Sequence, residues 1–183
     1  MNEEKSVDAE DSPPAVFEQV QEKFQDAILD VSDAQGEWVV VVRKDTVYPL
    51  LEYLKADSEL AYDFLADVTA VDYASMEDVL MQYEYARFMV VYQLYSLKHN
   101  TRLRVKAPIH ENDASVQSVV PLWSGANWLE RETYDMFGIT FENHPDLRRI
   151  LMPDDFEDHP LRKEYPLRGR GERERFNFER QNV

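Results

Sequence analysis

The stretch Tyr83-Glu84-Tyr85-Ala86-Arg87-Phe88-Met89-Val90-Val91-Tyr92-Gln93-Leu94-Tyr95-Ser96-Leu97, then Lys98-His99-Asn100, then Thr101-Arg102-Leu103-Arg104-Val105-Lys106-Ala107, decides the fold class. Its aromatic and β-branched content suits strands and its short polar link suits a hairpin, so strands are expected at about 83–97 and 101–107. In the second, Leu103, Val105 and Ala107 alternate with Arg102, Arg104 and Lys106, so one face is core and the other meets solvent or a partner. The basic row reads either as a docking stripe or as a solvated edge guarded against aggregation by charge.

Working outward, Gly36 precedes Glu37 to Arg43, whose Trp38-Val39-Val40-Val41-Val42 core reads as a buried strand. Ser12-Pro13 is a cap and first-turn pair, and Phe17, Val20, Phe24, Ala27 and Ile28 recur at helical spacing, which predicts a helix to about Leu29. Asp45 predicts the cap of a second helix to Ala56, with Val47, Leu50, Leu51 and Leu54 on one face and Pro49 in the first turn. Ser58 predicts a short third helix over Glu59 to Asp67, after which Thr69 to Tyr73 is extended. This irregular order implies an α+β fold of two layers, with helices packed on one face of a mixed β-sheet and an extended C-terminal tail. It disfavours a doubly wound nucleotide fold, and neither GxGxxG nor GxxxxGK[ST] occurs.

The composition narrows the function. With 183 residues and a formal charge of −16, the chain is one domain with a real core, and it is too acidic for a general nucleic-acid binder or a polybasic lipid anchor. It has no cysteine, so a disulfide framework, a thiolate zinc site, an all-cysteine iron–sulfur cluster or a nucleophilic thiol would have to belong to a partner. The apolar runs Trp38 to Val42 and Phe88 to Val91 are far too short to span a membrane, and the N-terminus lacks the apolar core of a signal peptide. A soluble protein on the cytoplasmic side is expected, reaching a membrane only through another subunit. Residues 1–37 carry a net −9 and residues 161–183 a net +3. The expected organisation is a disordered acidic N-terminus (1–12), a single α+β domain (13–167) and an extended Arg/Phe-rich C-terminal strap (168–183).

Trp128-Leu129-Glu130-Arg131-Glu132-Thr133-Tyr134-Asp135-Met136-Phe137-Gly138-Ile139 reads as a helix closed by Gly138. Ala126, Leu129, Thr133, Met136 and Phe137 share a face that should pack on the sheet, while Glu130, Arg131, Glu132, Tyr134 and Asp135 fan over the rest. Arg131 and Asp135 are spaced to pair at i,i+4, and Glu132 with Asp135 forms an i,i+3 carboxylate pair. Acid–base catalysis or cation binding by that pair would need a pocket and a third group; a salt-bridged helix face or a buried ion pair at a subunit interface are the other readings.

Glu130 to Gly138, followed by His144-Pro145-Asp146-Leu147-Arg148-Arg149-Ile150-Leu151 and His159-Pro160-Leu161-Arg162-Lys163-Glu164-Tyr165-Pro166-Leu167, resembles the signature of the NuoC family of respiratory complex I, the NADH:quinone oxidoreductase. Thr69 to Tyr73 and the 83–107 hairpin also resemble that family, so the likeness runs from about residue 15 to the end. Asp158 and Asn143 stand where the family usually has glycine, and both residue types tolerate a left-handed turn.

The resemblance implies a non-redox peripheral-arm subunit, with no catalytic residue, cofactor or metal assigned to the chain itself. FMN, iron–sulfur clusters, NADH and quinone would sit in partner subunits. Those partners would be the hydrogenase-like large subunit that helps form the quinone site and the cluster-bearing small subunits. The complex would couple NADH-to-quinone electron transfer to ion translocation. The alternative is the equivalent subunit of a membrane-bound hydrogenase or related quinone-reducing complex with another donor. The resemblance puts Glu130, Arg131, Glu132, Tyr134, Asp135, His144, Asp146, Arg148, Arg149, His159, Arg162 and Lys163 at a subunit interface.

His144, His159, His99 and His110 with Asp146, Asp154, Asp155 and Asp158 could suggest a metal, yet none stands in HExxH, and hydrogen bonds that stabilise the two His-Pro turns are the expected use. Arg148, Arg149, Arg162 and Lys163 could hold an anion or a quinone headgroup; pairing with carboxylates of this or a neighbouring chain fits the guanidinium better. The tail holds Phe176 and Phe178 among Arg168, Arg170, Arg173, Arg175 and Arg180, and reads as either a frayed end or a strap on a partner.

Overall fold

The computed structural model describes residues 15–34 and 36–171, with side chains from residue 18 onward. Five strands form one mixed sheet in the order β1-β2-β5-β4-β3. They are β1 (Ile28–Ala34), β2 (Glu37–Val42), β3 (Phe64–Asp72), β4 (Phe88–Ser96) and β5 (Thr101–Ile109). β4 and β5 form the expected antiparallel hairpin, β3 runs antiparallel to β4, and β2 lies parallel to β5. The helices are α1 (Ala15–Phe24), α2 (Val47–Ala56), α3 (Glu77–Gln82) and α4 (Ala126–Phe137). Two short parallel strands, β6 (Ser115–Gln117) and β7 (Thr140–Glu142), flank α4 as a crossover unit.

Alternation along the strands sorts the two faces. Val40 and Val42, Phe88, Val90, Tyr92 and Leu94, and Leu103, Val105 and Ala107 meet Leu50, Leu51 and Leu54 of α2, Ala126 and Phe137 of α4, and Val20 of α1 in the main core. The opposite face carries the smaller cluster of Val39, Val41, Met89 and Val91, covered by Tyr73 and by Tyr83 at the end of α3.

Several expected elements differ. The first helix ends at Phe24 and gives way to a 3-10 turn and β1, because a bulge between Ile28 and Asp30 lets Ile28 and Val31 both reach the core at a spacing that mimics a helix. No helix covers 59–67: the Asp57 carboxylate accepts the Glu59 and Leu60 N–H groups at 2.8 and 3.2 Å and turns the chain into β3. The second helix opens with a 3-10 turn at Lys44–Thr46, and no side-chain oxygen of Asp45 caps it. The hairpin begins at Phe88 rather than Tyr83, since α3 and the left-handed Glu84 and Tyr85 come first. Finally, β5 is not an edge. It lies between β2 and β4, and Arg102 and Arg104 of its polar row pair with Glu37 at 3.0 and 2.8 Å. Residues 1–12 and 172–183 lie outside the described residues, so the disordered terminus and most of the strap are not part of this picture.

Candidate functional site

α4 begins after Gly125 and ends at Gly138, whose φ of 74° makes a left-handed cap with its N–H on the Tyr134 carbonyl. The remaining carbonyls of its last turn are all taken by the irregular segment that follows β7. His159 Nδ1–H donates to the Asp135 carbonyl at 2.9 Å, the Leu161 N–H to Met136 at 3.1 Å, and Arg162 Nε–H to Phe137 at 2.7 Å. A helix C-terminus needs such donors and favours cations, and here residues from 149 onward supply both.

Asp135 is the centre of that docking. Its side chain is fully buried, Oδ1 accepts Arg149 Nη1–H at 2.6 Å, and Oδ2 accepts the N–H groups of Ile150, Leu151 and Met152 at 3.0, 2.7 and 2.9 Å. Burial alone pushes its carboxyl up; the N–H groups of Met152, Leu151 and Ile150 together with Arg149 reverse this and hold it below the ordinary aspartate value. Arg131 does not pair with Asp135. It donates instead to the carbonyls of Arg148 and Arg149 at 3.0 and 3.1 Å, so both helix residues clamp the same segment by different atoms.

A second carboxylate fastens the segment farther along. Asp72, buried at the end of β3, takes Arg87 as a two-pronged partner at 3.1 and 2.7 Å and also accepts the Lys163 N–H at 2.9 Å. Burial raises its carboxyl, and Arg87 with the Lys163 and Ala74 N–H groups pulls it below the usual range. Arg87 also binds Glu111 at 2.6 Å and Glu164, and its guanidinium lies 4.9 Å from the Phe88 ring, with that of Arg162 at 5.2 Å. Between the two anchors, Leu151, Leu161 and Leu167 are exposed, as is Trp128 on α4.

The other expected residues are arranged around these anchors. Glu130 is fully buried and accepts Ser118 Oγ–H at 2.6 Å and the Val119 N–H at 2.7 Å. It and Asp135 therefore lie inside the chain, whereas Glu132 is exposed and Tyr134 half-buried. The Glu132–Asp135 pair does not share a pocket, since one carboxyl faces solvent and the other is enclosed. His144 receives the Asp146 N–H on Nδ1 at 3.0 Å and donates Nε2–H to the Asn127 carbonyl at 3.1 Å, so it braces the turn against α4. His159 is lowered by burial against the Asp135 carbonyl bond that raises it, with Arg162 and Arg149 adding to the fall. Asp146 and Arg148 form an exposed pair at 3.0 Å. Of the four expected cations, Arg149 and Arg148 take carboxylates, Arg162 takes a carbonyl and Lys163 serves through its backbone. Arg170, expected in the strap, donates to both oxygens of Asp158 at 2.7 Å. Among the described residues no group of three His, Asp or Glu side chains is placed to hold a metal ion.

Comparison with known proteins decides the family. The model of the family described as respiratory-chain NADH dehydrogenase, 30 Kd subunit, matches residues 40–171. The chain belongs to this family. It is 50% identical to the NADH-quinone oxidoreductase NuoC-type protein of Geotalea uraniireducens over 82% of this chain and 85% of that one. It is 45% identical to the mitochondrial NADH dehydrogenase [ubiquinone] iron-sulfur protein 3 of Candida albicans over 74% of this chain and 45% of that one. Among solved structures it resembles the trypsin-resistant fragment (1-134) of Nqo5, with a TM-score of 0.62 and 35% identity over 72% of this chain and 96% of that chain. The fold is also that of a chain in the membrane-bound sulfane sulfur reductase, an archaeal respiratory membrane complex. There the TM-score is 0.68 at 21% identity, over 92% of this chain and 94% of that chain. These likenesses agree with the α+β expectation and with the family resemblance carried by residues 130–167.

Sequence reasoning missed the Asp72–Arg87 anchor. The available signal was a lone arginine opening the apolar run Phe88 to Val91, with an aspartate closing the extended Thr69 to Asp72.

Proposed function

We propose that the chain is a non-redox peripheral-arm subunit of NADH:quinone oxidoreductase that docks on the hydrogenase-like large subunit near the quinone site and supports assembly. The observation that carries this reading is the strip from residue 144 to 170, an irregular segment fastened to α4 and β3 by two buried carboxylates. It leaves Leu151, Leu161 and Leu167 facing outward. A segment held rigid while its large apolar side chains stay exposed suits a permanent partner, since the ordering entropy is already met before contact. Glu132, Tyr134, Asp146, Arg148, Arg162 and Lys163 rim that surface, and the Arg/Phe-rich residues from 168 on extend it, with aromatic and arginine content of the kind that interfaces favour.

In this reading FMN, iron–sulfur clusters, NADH and quinone are held by partner subunits, consistent with a chain that has no cysteine. Electron transfer coupled to ion translocation belongs to the assembly, and the chain sits on the cytoplasmic side of the inner membrane through its complex. No helix among the described residues is long and apolar enough to cross a membrane. The identity near 50% to bacterial NADH-quinone oxidoreductase chains supports this donor over the alternative of a hydrogenase-type complex, where the likeness is one of fold.

The test is native capture of the tagged chain followed by mass spectrometry of co-purifying subunits. Recovery of the large quinone-site subunit with NADH-oxidising partners supports the proposal, and recovery of hydrogenase subunits instead refutes the donor. Deleting residues 168–183 should weaken capture while leaving the melting of the isolated chain nearly unchanged. Equal capture by the truncated chain would return the tail to a frayed end.

A further inference from the structure

Glu130 is surrounded by neutral groups on every side. From the connection after β6 come the Ser118 hydroxyl and the Val119 N–H, at 2.6 and 2.7 Å. From β4 comes Tyr92, fully buried, whose hydroxyl has no hydrogen-bond partner among the described residues. From the turn after β7 comes His144, whose Nε2 lies 3.9 Å from Glu130 Oε2. That ring directs Nε2–H to the Asn127 carbonyl and uses Nδ1 as an acceptor, so it is held as a neutral tautomer. One turn away on α4 stand Ala126, Asn127, Thr133 and Tyr134, none of them charged, and Arg131 turns off to the Arg148 and Arg149 carbonyls. Among the described residues no lysine or arginine reaches ion-pair distance of this carboxyl.

An ionised carboxylate in such a place has two neutral donors and no counter-charge, which does not offset its desolvation. A protonated carboxyl fits better. Ser118 Oγ already accepts the Val120 N–H at 3.2 Å and retains a second lone pair, so it can take the acid proton along the same 2.6 Å contact. We propose that Glu130 is a buried proton-binding latch: with its proton it locks the β6–α4 connection to the helix and sheet, and on losing that proton to solvent it loosens the connection.

Nothing in this depends on docking to another subunit; it is a property of the folded chain. Desolvation raises the carboxyl from 4.5 to about 7, against the bonds from Ser118 and Val119 that lower it. The folded state therefore holds the proton roughly 300-fold more tightly than an unfolded glutamate would. The unfolded state releases the proton first, so the latch contribution is full below pH 4.5, declines as pH rises, and is lost above about 7.

The experiment compares thermal unfolding of the full chain with that of Glu130→Gln from pH 5 to 8.5 at fixed ionic strength. Glutamine keeps the shape, accepts the Val119 N–H and donates to Ser118 without ever ionising. The two proteins should melt within about 2 °C of each other at pH 5, and the variant should melt roughly 5–10 °C higher at pH 8.5. A gap that does not change with pH overturns the latch. Should the variant fail to fold, the Glu130 carboxyl carbon of the unaltered chain is followed by carbon-13 resonance. A midpoint between pH 6 and 8 supports the proposal, and a midpoint below pH 5 refutes it.

Discussion

Glu130 and Asp135 stand five residues apart on one helix, both with no exposed side-chain area, yet their surroundings drive them in opposite directions. Asp135 faces three backbone N–H groups and a guanidinium and stays below the ordinary aspartate value; Glu130 faces a hydroxyl and one N–H and rises to about 7. Burial is common to both and cannot account for the difference. The number of donors and the presence of a cation decide whether a buried carboxyl is a fixed charge or a proton acceptor. In this chain the fixed charge holds down a surface strip, and the neutral acid sits under the connection that leads into the helix.

The largest effect should come from removing the fixed charge. Asp135→Ala leaves Arg149 half-buried without its partner and strands three N–H groups, so it should cost roughly 3–5 kcal/mol in urea unfolding. Asp135→Asn, which keeps an acceptor but loses the charge, should fall between this and the unaltered chain. Because the folded carboxyl lies below its unfolded value of 3.8, its contribution is full above that pH and fades as acid is added. Glu130 behaves in the opposite sense, as its folded value is the higher one. An Asp135→Ala chain that unfolds at the same urea concentration as the unaltered one would show that the strip is not held by this carboxylate.

Next in size is Gly138→Ala. A φ of 74° disfavours alanine by roughly 1–2 kcal/mol, and a Cβ there would meet His159 Nε2 and Arg162 Nη2 at 2.5 Å. The crowding adds to the backbone term and acts on the two side chains that cap α4, so the stability loss should exceed about 1–2 kcal/mol and be accompanied by faster amide exchange at Leu161, whose N–H binds the Met136 carbonyl. Exchange at Leu161 that stays as slow as in the unaltered chain would mean that Gly138 serves only its own turn.

What the sequence made legible follows the same division between local and distant partners. The end of α4 could be read because Gly138 is a local signal, and the α4 apolar face because its period is local. The partner of Asp135 could not be read from spacing, since the i,i+4 rule points to Arg131 while the actual guanidinium is fourteen residues on, across an irregular loop. Spacing also misplaced β1 and the start of β3. Bulges at Ile28/Asp30 and Leu65/Asp67 shift the alternation, so a strand there shows the three-residue interval of a helix. The burial of Glu130 was invisible for a related reason: its apolar surroundings come from β4, β6 and the turn at His144, none adjacent in sequence. Family resemblance marked residues 130–167 as a unit, but only the folded arrangement separates the carboxylates that organise it from the side chains left at its surface.

A smaller effect is expected at Arg131. Its guanidinium holds the Arg148 and Arg149 carbonyls beside the Asp135 anchor, and it lies 5.4 Å from the exposed Trp128 ring. Arg131→Ala should cost about 1–2 kcal/mol, since the lost bonds lie partly in solvent and water can replace them. Arg131→Lys should recover less than half of that, because one ammonium cannot span two carbonyls as the planar fork does. Full recovery by lysine in urea unfolding would reduce Arg131 to a charge near the helix end.

The smallest effect tests whether charge pairing matters on the strip at all when both partners face solvent. Arg148 and Asp146 are 70% and 53% exposed at 3.0 Å, so their attraction is screened and opposed by the entropy of fixing two side chains. The turn itself is held by other atoms, the Asp146 N–H on His144 and the Arg148 carbonyl on Arg131, which side-chain truncation leaves in place. A double-mutant cycle of Arg148→Ala and Asp146→Ala should therefore give a coupling under about 0.5 kcal/mol that vanishes in molar salt. A coupling above about 1.5 kcal/mol that survives salt would mean that this pair behaves like the buried one at Asp135, and that burial contributes less to the difference between the two regions than the donor arrangement alone.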